Sequence, residues 1–509
     1  MVSLEPGACY QALLTRDARF DGRVFVGVTS TGIYCRPVCP ARTPKRDNCR
    51  FFASAAAAQT AGFRPCLRCR PETAPEHGAW RGTSNTVQRG LELIADGALD
   101  GEDANVEHLA ERLGLGGRQL RRLFERHLGA SPIAVAQTRR VLFAKQLIHE
   151  TRLPMAEVAL ASGFGSVRRF NETFQSLFGR PPSALRRNAV VALPEGSAAG
   201  AGVTLRLRYR PPYDWAAMLG FLRARAISGM ELVGDERYVR TFLEGGEAGS
   251  VEILHEPRFE SLAVSVRMGQ LGALPQVVNR IRRVFDLAAD VTQIGAHLAR
   301  DPLLRPLLKE RPGLRVPGAW DGFELAVRAV LGQQVSVAAA RQLGQRLVLS
   351  CGMPVLLGPS LTRVFPTPER VAQADLSQLG APRERVRTLE ALARAALEDS
   401  SLFEPRSTIE ETVTRLCSVR GIGAWTAQYI ALRAAREPDA FPASDRGILR
   451  GVQGDGSDWS AATLERYAER WRPWRAYAAQ HLWAADAARS ATKQALLRPA
   501  ANVRALGQR

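Results

Sequence analysis

Two close pairs of cysteines stand near the start of this 509-residue chain. Cys35 and Cys39 lie in GIYCRPVCP with three residues between them, and Cys66 and Cys69 lie in RPCLRC with two between them. Thiols at such spacings, separated by a loop, can close a tetrahedral zinc site of four thiolates. The alternative is a set of scattered buried thiols. The pattern predicts one zinc ion with four thiolate ligands and no organic cofactor.

The overall charge points to a polyanionic partner. The chain carries 69 Lys+Arg against 50 Asp+Glu, a formal net charge of +19. Such an excess favours binding to phosphates, so double-stranded DNA is the expected partner. An anionic membrane surface is the weaker alternative, because no long basic amphipathic helix is evident. No apolar run approaches the roughly 20 residues of a membrane span, and the first residues lack a secretory pattern.

We therefore expect a cytoplasmic, DNA-associated protein without a membrane partner. In a reducing compartment the eight cysteines do not form a disulfide framework. We expect the unpaired thiols, Cys9, Cys49, Cys351 and Cys417, to be small buried hydrophobic residues.

Residues 105–188 contain two similar helical patterns, each interrupted by a glycine turn. Leu120, Leu123 and Phe124 fall on one helix face in the first, as do Val167, Phe170 and Phe174 in the second. Ser131 and Pro132 read as the N-cap and first residue of a longer helix between them. Arginines fall mainly on the other faces: Arg118, Arg121, Arg122, Arg168 and Arg169. With 14 Lys+Arg against 6 Asp+Glu in this segment, the pattern favours DNA contact over a solvated helical surface.

Two families are visible in this N-terminal part. GFGSVRRFNETFQSLFGRPPSALRR resembles the DNA-binding domain of the AraC family of transcription regulators. TSTGIYCRPVCPAR followed by AGFRPCLRCRPE resembles the metal-binding domain of the Ada adaptive-response family. The Ada resemblance implies that Cys35 takes a methyl group from a methylated DNA phosphotriester. It also implies promoter binding, with RNA polymerase as an expected partner.

The proposed acceptor can be rationalised by charge. Four thiolates around one zinc dication leave a net charge of about −2, so a sulfur stays nucleophilic without a base. Alkylation neutralises the phosphate and lets this anionic cluster approach. We expect nearby arginines to hold the flanking phosphates: Arg36, Arg42, Arg64 and Arg68. Methylation of Cys35 lowers the cluster's negative charge, so the methylated protein should bind DNA more tightly.

The C-terminal part contains RAVLGQQVSVAAARQL, SVRGIGAWTAQYIALR and FPASDRGILRG. Gly421 and Gly423 allow a tight turn between two helices whose N–H groups can bind a DNA phosphate, although a plain helical hairpin fits equally well. With Asp445 following, these stretches resemble the helix-hairpin-helix-GPD glycosylases, specifically 3-methyladenine DNA glycosylase II. Cleavage of an N-glycosidic bond develops positive charge on the sugar, which a carboxylate stabilises. We predict that Asp445 is this carboxylate; the alternative is a helix N-cap.

The resemblance also implies an aromatic pocket for a flipped, alkylated base. Its expected members, which otherwise would be ordinary core residues, are Trp425, Tyr429, Trp483 and Phe221. Bifunctional relatives have a Schiff-base lysine where this chain has Trp425, so we expect a monofunctional enzyme. Gln334 stands where some relatives place an apolar wedge that fills the gap left by the flipped base.

These observations predict a mainly helical, multidomain repair regulator and glycosylase. The alternative is a transcription regulator whose C-terminal half only binds damaged DNA. The predicted order is a small zinc-binding α+β domain at 1–78, an all-α double helix-turn-helix domain at 85–188 and a linker at 189–202. An α+β subdomain follows at 203–285, then an all-α helix-hairpin-helix glycosylase domain at 286–492 and a tail at 493–509.

Overall fold

The computed structural model describes residues 5–74, 85–100, 105–186, 202–406, 408–452 and 459–497. The predicted linker therefore lies outside the described residues except for residue 202. The last helix continues to Leu497, into the segment predicted as a tail. No helix within these ranges is both long enough and apolar enough to cross a membrane.

The N-terminal domain is a four-stranded sheet with two helices. Its strand order is β3-β1-β2-β4, and β2 pairs in parallel with β4, with Tyr34 opposite Pro65. Because parallel neighbours end at the same sheet edge, Cys35 at the end of β2 lies beside Cys66, which follows β4. The elements are α1 (Pro6–Leu14), β1 (Phe25–Val28), β2 (Ile33–Cys35), β3 (Cys49–Phe52), α2 (Ala55–Thr60) and β4 (Arg64–Pro65).

Six helices form the double helix-turn-helix region. The Ser131 side chain accepts a hydrogen bond from the Ala134 N–H, which confirms the predicted N-cap of the long helix α6. Phe170 and Phe174 are buried, as expected from their spacing. The helices are α3 (Asn85–Ala95), α4 (Val106–Arg112), α5 (Gly117–Leu128), α6 (Pro132–Glu150), α7 (Met155–Ala161) and α8 (Val167–Phe178).

One prediction of a core residue in this region is wrong. Val167 is 38% exposed, because it is the first residue of α8 and directly follows the N-cap Ser166. Phe164, in the turn before α8, takes the place expected for Val167 by packing edge to face on Phe170, with ring centroids 5.3 Å apart.

A five-stranded antiparallel sheet follows, as the alternation in VTLRLRY and SLAVSVRM predicts. Its order is β5-β9-β8-β7-β6, and alternate residues of β5 are buried. The elements are β5 (Val203–Arg208), α9 (Trp215–Arg225), β6 (Glu231–Val233), β7 (Arg237–Glu244), β8 (Glu247–Glu256) and β9 (Ser261–Arg267).

The remaining chain is almost entirely helical and contains two hydrophobic cores. A short hairpin of β10 and β11 follows α14. The elements are α10 (Leu274–Val284), α11 (Val291–Leu298), α12 (Arg305–Glu310), α13 (Gly322–Leu331), α14 (Val337–Cys351), β10 (Met353–Pro354), β11 (Arg363–Val364), α15 (Pro368–Gln373), α16 (Arg383–Glu398), α17 (Ile409–Cys417), α18 (Ala424–Arg433), α19 (Arg446–Val452), α20 (Ala461–Ala468) and α21 (Arg475–Leu497).

The helix-turn-helix region and the five-stranded sheet share one hydrophobic core, which contains Leu147 of α6 and Leu205 of β5. Side chains of helix α6 also form hydrogen bonds with the backbone at the edge of β5 that no other described strand covers. The Gln146 side chain donates to the Arg206 carbonyl at 3.0 Å, and the Arg206 N–H donates to Glu150 Oε2 at 3.1 Å. These bonds satisfy backbone groups that an edge strand would otherwise leave open.

Helix α6 is equally bound to the N-terminal domain. Lys145 is fully buried, and its ammonium donates to Glu72 Oε2 at 2.6 Å and to the Cys66 carbonyl at 3.0 Å. Arg70 joins the same network, donating to Glu72 Oε1 at 3.0 Å and to Glu150 Oε1 at 2.9 Å. A chain of buried charges thus connects the cysteine loop to the sheet.

Replacing Lys145 with Met should destabilise the N-terminal domain, because Glu72 would keep only Arg70 as a charged partner inside the protein. Breaking a buried ion pair typically costs about 3–5 kcal/mol. We expect the first urea transition to shift to lower concentration. The double variant Lys145→Met/Glu72→Gln should recover much of this loss, and equal losses in single and double variants would contradict the assignment.

Candidate functional sites

The four paired cysteines meet in one cluster. Their Sγ atoms all lie within 4.8 Å of one another; Cys35 is partly exposed, while Cys39, Cys66 and Cys69 are buried. The backbone N–H of Arg36 donates to Cys69 Sγ at 3.4 Å. Hydrogen bonding among the four thiols lowers the pKa of Cys39 and Cys66 and accompanies a raised pKa of Cys35 and Cys69. A metal ion binds the deprotonated form of such thiols. The donor set fits zinc.

The arginines around this cluster do not share one role. Arg36 is 5% exposed, and its Nε donates to Asp21 Oδ1 at 2.7 Å while Nη1 donates to the Cys69 carbonyl at 3.1 Å. The expectation that Arg36 holds a DNA phosphate is therefore wrong: its guanidinium is bound inside the protein. Arg42 and Arg68 are exposed and Arg64 is partly exposed, so these three stay candidates.

The unpaired cysteines divide into two groups. Cys9 and Cys351 are buried as expected, and burial raises the pKa of Cys351 to about 11. The expectation is wrong for the other two. Cys417 is exposed at the solvent side of the last turn of α17, and Cys49 is only partly buried because it begins the edge strand β3.

In the C-terminal part, four N–H groups converge on the Asp445 carboxylate. The Trp425 indole donates to Oδ2 at 2.8 Å, and the Trp483 indole donates to Oδ1 at 2.8 Å. The backbone N–H groups of Gly447 and Ile448 donate to Oδ1 at 2.8 and 3.0 Å. Asp445 therefore caps α19, as the structural alternative expects, and its carboxylate also contacts the predicted aromatic residues, while its catalytic role stays a prediction.

The predicted aromatic residues line one cavity of ≈ 590 Å³ together with Asp445. Trp425 and Tyr429 stack with ring centroids 5.5 Å apart and an interplanar angle of 13°. Tyr429 meets Trp483 edge to face, with centroids 6.2 Å apart. Phe221 reaches the cavity from α9. The structure brings all four into one pocket that can stack a flat base.

Two cations that lie over the aromatic rings of this pocket were missed in the sequence. Arg433 lies over Phe221, Tyr429 and Trp483, with its Cζ 4.4, 5.0 and 5.1 Å from their ring centroids. The Arg225 Cζ lies 3.9 Å from the Phe221 centroid. Helical spacing could have revealed both, since Arg433 is four residues after Tyr429 and Arg225 is four after Phe221.

The hairpin between α17 and α18 has the geometry that glycine permits. Gly421 has a φ of +82°, and a Cβ there would lie 2.0 Å from Thr388 Oγ1. Gly423 is exposed in front of α18, with open space where a side chain would project. Gln334 is exposed at a φ of +56° in the turn before α14. Its neighbour Gln333, also missed, donates to the Gly421 carbonyl at 3.1 Å and so joins this turn to the hairpin.

The five arginines predicted to contact DNA from the helix-turn-helix region are all at the surface. Arg118, Arg122 and Arg169 are exposed. Arg121 donates to both Glu107 carboxylate oxygens at 3.1 Å, and Arg168 pairs with Glu172 at 2.8 Å while remaining 86% exposed. Exposed pairs of this kind are weak, so a phosphate can displace the carboxylate.

Models of four families match consecutive parts of the chain. They describe the metal binding domain of Ada at residues 8–72, a helix-turn-helix domain at 109–188, the AlkA N-terminal domain at 204–321 and the HhH-GPD superfamily base excision DNA repair protein at 327–476. The order of the matches agrees with the predicted fusion, and the first match supports the zinc prediction.

Similar proteins cover either most of the chain or one part of it. The probable bifunctional transcriptional activator/DNA repair enzyme AlkA of Mycobacterium tuberculosis is 40% identical over 476 residues, which cover 93% of this chain and 95% of the relative. DNA-3-methyladenine glycosylase 2 of Escherichia coli is 39% identical and covers 54% of this chain and 95% of that protein. The bifunctional enzyme Ada of Escherichia coli is 38% identical over 25% of this chain and 34% of its own length.

These matches define the chain as a fusion of an Ada-type methyl-acceptor and DNA-binding part with a helix-hairpin-helix glycosylase part. The chain belongs to the family of the bifunctional transcriptional activator/DNA repair enzyme AlkA.

Replacing Trp425 with Phe should lower the base-excision rate by roughly 10-fold or more, because it removes one charge-assisted hydrogen bond to Asp445 and keeps a stacking ring. Affinity for lesion-containing duplex should change little. The rate is measured in single-turnover assays of released base. Trp471→Phe is a matched control, since the Trp471 indole donates to the Asp301 carboxylate at 3.0 Å within a separate buried group. Equal rates for wild type and Trp425→Phe would show that this indole does not orient the carboxylate.

Proposed function

We propose that this protein repairs alkylated DNA at two separate sites and uses one of the two reactions to regulate transcription. The N-terminal part accepts methyl groups from methylphosphotriesters, and the C-terminal part hydrolyses the N-glycosidic bond of alkylated bases. The observation that carries the glycosylase proposal is the Asp445 carboxylate, held by two indoles at the edge of an aromatic cavity. The observation that carries the methyl-acceptor proposal is the single partly exposed sulfur of the cluster.

Methyl transfer is assigned to Cys35. Its sulfur attacks the methyl carbon, an S–C bond forms, and the C–O bond breaks so that the electron pair stays on the phosphate oxygen. The four sulfurs would hold a zinc ion, which would keep them deprotonated. Cys35 is the reactive sulfur in this assignment because the other three are buried. Arg42, Arg64 and Arg68 are assigned to hold neighbouring phosphates, because they lie within three residues of cluster cysteines in the sequence and are at least partly exposed.

The two helix-turn-helix units bind promoter DNA in this proposal. Arg118, Arg121 and Arg122 of α5 contact one segment, and Arg168 and Arg169 of α8 contact the next. Transfer of the methyl group makes the cysteine cluster less negative, which strengthens binding to the DNA backbone. RNA polymerase is the partner through which such binding would activate transcription.

Base excision is assigned to Asp445 and the pocket around it. The base flips out and stacks in the cavity formed by Trp425, Tyr429, Trp483 and Phe221. Asp445 stabilises the positive charge that develops on the sugar and can orient water. Gln334 fills the gap in the duplex, and the hairpin at Gly421 and Gly423 binds a phosphate. Without a lysine at position 425, the product is an abasic site.

Cys35 should carry a single added methyl group after exposure of the zinc-loaded protein to methylated DNA. Peptide mass analysis measures the position, and metal analysis should find stoichiometric zinc. The methylated protein should bind promoter DNA more tightly at matched salt. Cys417→Ser, which changes an exposed thiol outside the cluster, serves as the control and should methylate normally. Methyl found only on Cys39 or Cys49 would contradict the assignment.

Asp445→Asn should abolish base excision and leave binding to damaged DNA largely intact, because the amide keeps the shape and removes the charge. Loss of one well-placed electrostatic group costs on the order of 100-fold or more in rate. The matched control is Asp301→Asn, which alters another carboxylate that accepts an indole N–H. If the wild-type protein binds methylated duplex and releases no base, the C-terminal half only binds damage.

A further inference from the structure

The base pocket contains a buried positive charge that no carboxylate neutralises directly. Arg433 is 2% exposed, and its Nη1 donates to the Pro317 carbonyl at 2.8 Å while Nη2 lies 3.4 Å from Gln480 Oε1. Both partners are neutral. Among the described residues, no carboxylate lies within ion-pair distance of this guanidinium.

Most of the other charged side chains that line the cavity form ion pairs, including Arg450 with Asp486 at 2.8 Å. Arg240 and Arg328 pair with Glu324 at 2.7 and 2.8 Å, and Arg328 also pairs with Glu231 at 2.7 Å. At the aromatic rings, the two guanidinium groups of Arg433 and Arg225 stand against the single carboxylate of Asp445, so the aromatic side of the pocket has a net positive charge. Burial raises the pKa of Tyr429, but the charges of Arg433 and Arg225, together with hydrogen bonds from both, outweigh burial and lower that pKa. Burial lowers the pKa of Arg433 to about 10, so it stays charged near neutral pH.

This arrangement changes the expected role of cation–π attraction. Arg433 already lies over three of the four rings that would stack the flipped base. A cationic base such as 7-methylguanine would enter next to a like charge. The aromatic set alone would favour cationic bases, whereas the buried guanidinium opposes their binding.

We propose that Arg433 is a specificity-determining residue that supplies positive charge on the leaving-base side of the pocket, opposite the Asp445 carboxylate on the sugar side. This inference rests on the proposed glycosylase function. Trp483 contacts both charges, donating to Asp445 from its indole N–H and lying beneath the Arg433 guanidinium.

The chemistry gives Arg433 opposite effects on binding and on cleavage. When the C1′–N bond breaks, its electron pair stays on the base, and the water oxygen bonds to C1′ while its proton passes to Asp445 or solvent. A cationic base leaves neutral, and a neutral base such as hypoxanthine leaves as an anion. In both cases the base becomes more negative by one charge, so a nearby cation favours the transition state over the bound substrate.

The test compares two neutral substitutions, Arg433→Met and Arg433→Gln, the second of which keeps an N–H donor for Pro317. Single-turnover rates are measured at saturating enzyme on duplexes with hypoxanthine or 7-methylguanine. Affinity is measured on the 2′-fluoro analogues, whose fluorine slows cleavage. Arg315→Met is the matched control, because Arg315 is also 2% exposed and lies over the rings of Tyr209 and Tyr213, outside this cavity.

Both Arg433 variants should cleave each lesion more slowly, by on the order of tenfold or more. They should bind the 7-methylguanine duplex more tightly, also on the order of tenfold, and the hypoxanthine duplex with little change. A merely structural role would weaken rate and affinity together, as in Arg315→Met, and that outcome in the Arg433 variants would overturn the inference. If the wild-type protein releases neither base, the proposed glycosylase function itself fails.

Discussion

The buried ion pair between Lys145 and Glu72 is the contact on which the arrangement of the N-terminal half depends. Lys145 belongs to the helix that joins the two helix-turn-helix units, and its ammonium also binds the carbonyl of Cys66. A lysine placed in such surroundings requires a charged partner, because an unpaired ammonium inside a protein is strongly unfavourable. The cysteine loop and α6 therefore hold one position relative to each other. The sheet of the C-terminal half is joined to the same helix through Glu150 and Arg206.

This arrangement makes the three parts of the chain one packed unit. The helix-turn-helix residues Phe170 and Phe174 lie in the same hydrophobic core as residues of the five-stranded sheet. Each contact joins residues that are far apart in sequence: Lys145 is 73 positions from Glu72, and Arg206 is 56 positions from Glu150. Local patterns identify helices, strands and motifs, but they carry no information about such long-range pairs. The direct packing across the predicted linker could not be foreseen for that reason.

Within each site, short-range spacing in the sequence predicted which residues come together. It did not predict how deeply they are buried or which hydrogen-bond partners they have. The two cysteine pairs, the stacked Trp425 and Tyr429 and the capping Asp445 follow from spacings along one loop or one helix, and the structure brings them together as expected. Arg36 and Cys417 were misjudged because burial is set by neighbours on other elements, such as Asp21 for Arg36. The two indole hydrogen bonds to Asp445 were also invisible, since Trp483 is 38 positions away.

The two sites follow one electrostatic logic with opposite signs. At the cysteine cluster, excess negative charge makes a sulfur nucleophilic and repels an ordinary phosphodiester, so only a neutralised phosphate approaches easily. In the base pocket, the excess charge beside the rings is positive, and in our proposal the Asp445 carboxylate faces the sugar side of the glycosidic bond. In the base pocket the positive charge becomes more favourable as the leaving base gains negative charge, whereas at the cysteine cluster the negative charge is lowered when the sulfur forms its bond to the methyl carbon. Because such charges are costly to bury, neutral groups stabilise them in both sites. The backbone N–H of Arg36 donates to Cys69 Sγ in the cysteine cluster, and the Pro317 carbonyl accepts a hydrogen bond from Arg433 in the base pocket.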